Sequence, residues 1–160
     1  MTTRQGDVAL LDVPVAQELL HSATPVRVAY VSRDGTPRVV PTWFHWDGAD
    51  IVIGTPVESP KVRAISANPN VALTIDNGTW PYKALQIRGI ARIETVQGVV
   101  AEYALAAQRY LGAQGGDAWI EQIRGMFSQM ARIAVRPAWV AVLDFEQRFP
   151  NAIEAAMMRH

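Results

Sequence analysis

Two Asp-Gly pairs, Asp34-Gly35 and Asp47-Gly48, each separate runs of residues with alternating apolar and polar character. Glycine tolerates the positive φ that tight hairpin turns demand, so each pair marks a reversal of the chain. The runs at 26–32, 38–46 and 50–55 then read as three consecutive antiparallel strands. In the first, Val26, Val28 and Tyr30 alternate with Arg27, Ala29 and Val31. Parallel neighbours need a crossover of a dozen or more residues, and these connections are far shorter. The start of the chain is therefore an antiparallel meander.

The remaining segments extend it. Residues 14–23 read as a short helix with Val15, Leu19 and Leu20 on one side. Ser59-Pro60 is a helix start, with Ser59 as N-cap, and Asn68-Pro69 ends that helix. Residues 71–75 form a strand. Residues 84–94 form a long one, whose strict alternation predicts one face on a core and one on solvent or a partner. Residues 97–111 read as a helix stopped by Gly112. A second helix follows, capped by Asp117, with Ile120, Ile123, Phe127 and Met130 at helical spacing. Two strands, 132–136 and 139–145, separate at Pro137. The tail from Phe149 carries no clear pattern. Mostly antiparallel strands with inserted helices define an α+β barrel of six or seven strands, the helical insertion lying between the fifth and sixth. A single domain spans 1–160.

Charge and composition narrow the function. Fifteen basic residues balance fifteen acidic ones. No net field draws the chain to nucleic acid or to an anionic membrane, so any anion site is local. Cysteine is absent. That excludes disulfides and thiol chemistry and suits a cytoplasmic setting. His21, His45 and His160 are too scattered for a zinc motif, and no metal site is expected. No apolar run is long enough to span a bilayer, and the first residues lack a secretory pattern. There is no G-x-S-x-G elbow for a hydrolase.

Two segments can carry chemistry. In Gly54-Thr-Pro-Val-Glu-Ser-Pro-Lys61 a strand ends and a helix begins. A helix start presents unpaired N–H groups and partial positive charge. Lys61 in that first turn is electrostatically misplaced unless an anion sits beside it. Thr55 and Ser59 add hydroxyls, and Arg63 adds charge, so the segment forms a phosphate cradle. The residues alone equally allow Lys61 to point into solvent while Ser59 only caps. In Arg38-Val-Val-Pro-Thr-Trp-Phe-His-Trp46, Pro41 removes a ladder hydrogen bond and implies an edge, bulge or bend. Such exposed backbone accepts flat heteroaromatic ligands, whereas Trp43, Phe44 and Trp46 also suit a barrel core. His45 lacks an obvious acidic or serine partner and is read as a structural or surface residue, not a base. In the loop Trp80-Pro-Tyr-Lys83, Trp80 and Lys83 either cover and charge-pair a ligand or form a packed turn.

The stretches Val28-Ala-Tyr-Val-Ser-Arg-Asp-Gly-Thr-Pro-Arg-Val-Val-Pro-Thr-Trp-Phe, Trp46-Asp-Gly, Ile53-Gly-Thr55 and Lys61-Val-Arg-Ala-Ile-Ser-Ala-Asn-Pro-Asn-Val-Ala-Leu, with the strand bearing Gly89, stand in an order that resembles the pyridoxamine 5′-phosphate oxidase-like superfamily. The resemblance runs over residues 14–148. It implies a split β-barrel that binds FMN or the deazaflavin F-420 and pairs into a homodimer with two cofactors at the interface. It also implies an oxidoreductase acting on a small-molecule substrate. It assigns the ring to Arg38, Val39, Val40, Pro41, Thr42 and Trp43, and the phosphate to Gly54, Thr55, Ser59 and Lys61. Trp80 and Lys83 complete the expected set. The vitamin B6 salvage oxidase proper has an Arg-Lys pair where this chain has Pro60-Lys61. It has an Arg-Gln pair near Lys83-Ala84, and a substrate-phosphate motif that Tyr110-Leu-Gly-Ala-Gln-Gly-Gly-Asp117 does not match. Pyridoxal phosphate synthesis is therefore not expected. In a flavin-type enzyme the cofactor carries the hydride chemistry, so no catalytic acid or base is assigned. The alternative is a carrier that holds flavin, F-420 or haem without turnover.

Overall fold

The computed structural model describes residues 3–159, so Met1, Thr2 and His160 lie outside the described residues. Seven strands make one sheet: β1 (Val26–Val31), β2 (Pro37–Thr42), β3 (His45–Trp46), β4 (Ile51–Pro56), β5 (Asn70–Asp76), β6 (Lys83–Gln97) and β7 (Gln129–Asp144). Their order is β2-β1-β5-β6-β7-β4-β3, and every pairing is antiparallel. Among the described residues four α-helices accompany it: α1 (Pro14–Leu20), α2 (Pro60–Ala67), α3 (Ala101–Met126) and α4 (Asn151–Met157). Both Asp-Gly pairs are turns. Gly35 and Gly48 hold φ at +81° and +97°. Asp34 accepts from the Thr36 N–H at 2.9 Å, and Asp47 accepts from those of Ala49 and Asp50.

The connection between β2 and β3 explains the shape. Only Trp43 and Phe44 separate these strands, yet the strands occupy opposite edges of the sheet. Laid flat, seven strands would hold their edges roughly 29 Å apart at about 4.8 Å per neighbour. Two residues reach no more than about 10 Å from strand to strand. The sheet therefore curls until its two edges approach one another without pairing, and Phe44, 1% exposed, is buried in the core at that crossing. The inner face gathers Val26, Val28, Ile51, Ile53, Leu73, Ile75, Leu85 and Ile87 with Ala64 and Ile65 of α2. Each large side chain so buried contributes about 1.5–3 kcal/mol.

Several boundaries differ from the sequence expectation. The strand predicted at 38–46 divides at Trp43, because the chain crosses between edges there. The strands predicted at 132–136 and 139–145 are one strand, β7, with a register shift where Gly89 faces Pro137 and Arg88 faces Trp139. A Cβ on Gly89 would lie 2.3 Å from the Arg136 carbonyl oxygen, so the bulge demands glycine. Gln97 ends β6 rather than starting a helix, and α3 begins at Ala101. Gly112, at φ +78°, breaks α3 as expected, but the helix resumes at once. Asp117 is therefore inside the second half and accepts from Gln108 Nε2 at 2.9 Å instead of capping. Phe127 closes the helix, and Met130 belongs to β7. The first helix ends at Leu20, and the tail forms α4.

Outside the barrel, α3 covers only the β4–β7 side, where Val52, Val100, Ile123, Met130 and Ala134 make a second core. The outer face of β2, β1, β5 and β6 is bare. Val39, Ala29, Ala72, Arg88 and Trp139 form one row across five strands. The Arg88 guanidinium lies over the Trp139 ring, 4.0 Å from its centre. Val39 is 64% exposed and Ile90 57%. An apolar groove of about 550 Å³ runs between Val31, Pro37, Ala72 and Ile90. Among the described residues no helix is long and apolar enough to cross a membrane.

Candidate functional site

The segment expected to cradle a phosphate falls at the junction between β4 and α2. Ser59 occupies the N-cap position, but its hydroxyl does not cap the helix. It accepts instead from Lys61 Nζ at 3.1 Å. Lys61 is half-buried, and burial pushes its ammonium below the ordinary lysine value. Among the described residues no carboxylate lies within ion-pairing distance of it. The site thus holds a partly desolvated cation, a hydroxyl and the positive end of a helix dipole, with no counter-charge. Thr55, at the end of β4, is 4% exposed. Helix α2 packs against β1, the partner strand of β2, and so sits beside the strand pair carrying the other candidates.

On β2, Val39 and Pro41 face outward and are exposed, while Val40 packs against the core and Thr42 is half-buried. Pro41 is on an edge strand, where its missing N–H costs no ladder bond. Arg38 is exposed and bound within its own hairpin, to Asp34 at 3.2 Å and to Thr36. Trp43 and Gly54 meet on α3 rather than on open surface. Trp43 stacks on Tyr110, ring centres 5.1 Å apart and planes 11° apart, with Tyr103 and Trp119 at 5.8 and 6.2 Å. Trp119 Nε1 donates to the Tyr103 hydroxyl at 2.8 Å. A Cβ on Gly54 would lie 2.7 Å from Tyr103 Cβ, so glycine here is what lets α3 close on β4. Sequence reading missed this cluster. Its signal was present in Tyr103 and Tyr110, seven residues apart and hence on one helix face.

Trp80 and Lys83 stand elsewhere. Trp80 is 65% exposed and packs against Tyr82 and Phe145 at 5.4 and 5.5 Å. Lys83 Nζ is 3.1 Å from Glu18 of α1, whose hydrogen bond raises the lysine pKa. Thr55 pairs with Ala131, and Ala131 with Thr95, twelve residues along β6 from Lys83. At about 3.3 Å per residue that is up to ~40 Å of strand. The two groups of candidates occupy opposite ends of the sheet within one copy.

His45 is also not placed as a base. Its Nδ1 lies 3.4 Å from Arg109 Nη1, and burial, then Arg109, pushes its pKa below 6.5. Asp50, 5% exposed, is held by Arg136 and Arg92 at 2.5 and 2.8 Å. The Arg136 hydrogen bond lowers its pKa, and both cations satisfy it structurally.

A curled antiparallel sheet with a helical insertion is the architecture of the split-barrel class. The chain belongs to the pyridoxamine 5′-phosphate oxidase family, whose pattern matches residues 13–144. Among solved structures it is similar to an F420 reductase, 28% identical, over 78% of this chain and 94% of that one, with a TM-score of 0.60. A conserved hypothetical protein of Mycobacterium tuberculosis is 17% identical over 89% and 91% of the two chains, with a TM-score of 0.64. A haem storage protein of Vibrio cholerae is 15% identical over 82% and 92%, with a TM-score of 0.58. The latter two share the fold. No curated protein matches the chain.

Proposed function

We propose that the chain is a flavin-type oxidoreductase that binds FMN or F-420, acts on a small-molecule substrate and works as a homodimer. The observation that carries this reading is Lys61: a half-buried cation at a helix start whose hydrogen-bond partner is a neutral hydroxyl. A cofactor phosphate supplies the missing charge, bound by Lys61 and Ser59 with Thr55 beneath. The ring lies along the outer side of β2, where Val39 and Pro41 offer apolar contact; Arg38 alternates to the other face with Val40 and is held within its own hairpin. The bound cofactor supplies hydride transfer; the chain's own residues bind, orient and exclude water. Similarity to the F420 reductase favours the deazaflavin among the two cofactors.

The same geometry supports a second copy. Lys83 and the Thr95 level lie at opposite ends of β6, and Gly89 is midway between them. The bare apolar face is centred on that midpoint. A two-fold axis there makes the contact self-complementary and exchanges the two ends of the sheet. Trp80 and Lys83 of one copy then complete the cradle of the other. Titration of the purified protein with FMN, F-420 and haem, followed by optical spectra, tests the cofactor. Single turnover with the reduced cofactor separates an enzyme from a carrier. Haem binding with neither flavin bound would overturn the reading.

A further inference from the structure

Arg109 stands one turn before the break at Gly112 and, among the described residues, makes no ion pair. Its Nε donates to the Ser22 carbonyl at 2.8 Å, and its Nη2 donates to the Phe44 carbonyl. Its Nη1 is within hydrogen-bond reach of His45 Nδ1, at 3.4 Å. The next residue, Tyr110, donates its hydroxyl to the Thr24 carbonyl at 2.9 Å and stacks on Trp43. Two consecutive residues thus strap the first half of α3 to two loops, the one after α1 and the crossover between the sheet's two edges. Beyond the strap, Gly112 at φ +78° interrupts the helix and gives that half a hinge.

We propose that His45 is the proton-sensitive catch of this strap: neutral, it accepts from Arg109, and protonated, it releases the first half of α3 from Trp43. A neutral imidazole has one ring nitrogen free to accept, whereas the imidazolium has none and adds a like charge. The charged groups facing His45 are Arg109 and Glu102 of α3, Asp47 of the β3–β4 turn and His21 at the end of α1. Glu102 and Asp47 favour the proton, but Arg132 holds both, at 2.5 and 3.9 Å. Burial, Arg109 and His21 disfavour it, so the closed form takes up a proton less readily than the released form. Closure is therefore complete above the ordinary histidine value and is lost as pH falls through the lowered one. Release uncovers Trp43 and the Gly54 edge of β4. The inference stands independently of which cofactor, if any, the barrel binds.

Peptide-resolved hydrogen exchange from about pH 7.5 to about pH 5, the interval in which an imidazole titrates, tests it, with rates corrected for their intrinsic pH dependence. Protection of residues 101–111 should fall about tenfold for each unit by which closure lowers the His45 pKa, while β5 and β6 keep theirs. His45→Gln should remove that pH dependence, and His21→Gln should keep it. A transition that survives in His45→Gln, or a loss shared equally by α3 and the strands, overturns the proposal. Imidazole NMR of the parent protein follows each histidine directly. A His45 midpoint at or above 6.5, the ordinary histidine value, also overturns it, whether or not the variants fold.

Discussion

Lys61 and Lys83 mark the two ends of one sheet, and their surroundings differ in kind. Lys83 has a carboxylate 3.1 Å away, and its pKa rises because of it. Among the described residues Lys61 has only the Ser59 hydroxyl, and burial lowers its pKa. A cation whose charge is answered within the fold gains little from a further anion. One that is partly desolvated and unanswered gains the full charge-assisted contact, about 1.5–3 kcal/mol. The sequence placed both lysines among the candidates, the Lys61 segment first; their partners widen that difference.

If the chain pairs as proposed, the comparison is broken most severely by separating the copies. Ile90 lies next to the Gly89 midpoint of the bare face and is 57% exposed in one chain. Ile90→Asp would place two like charges near the two-fold axis and desolvate both, a cost of several kcal/mol. The expected result is a monomer by light scattering, with cofactor affinity reduced more than about a hundredfold because each cradle loses its second half. A dimer unaffected by Ile90→Asp would place the interface elsewhere.

Lys61→Ala should come next. Affinity for FMN or F-420 is expected to drop by one to two decades, since about 1.4 kcal/mol is tenfold. Stability without ligand should hold or rise slightly, because the cation opposes the helix dipole. Calorimetric titration at low salt, with urea unfolding alongside, reads both. Equal affinity in variant and parent would remove the phosphate from this end of the sheet.

The fold was readable in the chain where local chemistry acts alone. Asp-Gly turns, alternation along β6 and the Ser59-Pro60 helix start need no distant contact to take effect, and each appears where expected. Long-range closure was not readable. Nothing local at Trp43-Phe44 distinguishes a continuing strand from a crossing between edges. That event depends on six strand pairings, some of them almost a hundred residues away. The merging of the last two strands likewise depends on a glycine in β6 that accommodates a bulge opposite Pro137. At the candidate site, Lys61 and Ser59 were legible as a pair. The covering of Trp43 and Gly54 was not, because Tyr103, Tyr110 and Trp119 belong to an insertion whose docking the local pattern does not specify.

Lys83→Ala sharpens the contrast from the other side. If Glu18 already answers this lysine, its removal should weaken cofactor binding by no more than about threefold, in line with exposed ion pairs generally. The double variant with Lys61→Ala should then behave as the sum of the singles, because the two side chains act on the ligand without touching one another. A loss at Lys83 as large as that at Lys61 would mean that the second copy delivers it unpaired, with Glu18 displaced on assembly.

The finest test is the alkaline side of the binding curve. Burial lowers the Lys61 pKa from 10.5, while Glu18 raises that of Lys83, so Lys61 loses its proton first as pH rises. A neutral amine gives no charge-assisted contact to a phosphate, which is already fully ionised in this range. Affinity should therefore be flat around neutrality and weaken by about twofold where pH equals the Lys61 pKa, half the lysines then being neutral. Bound phosphate favours the protonated amine, so binding at that pH should draw a proton from the buffer, visible as a buffer-dependent heat. Lys61→Arg carries a charge that persists beyond pH ~12, so it should remove the decline. Any ionisation of the cofactor itself would remain in both proteins. Lys83→Ala should leave the decline where it was. A decline that follows Lys83, or that survives Lys61→Arg unchanged, would show that the partly buried lysine is not the group that meets the anion.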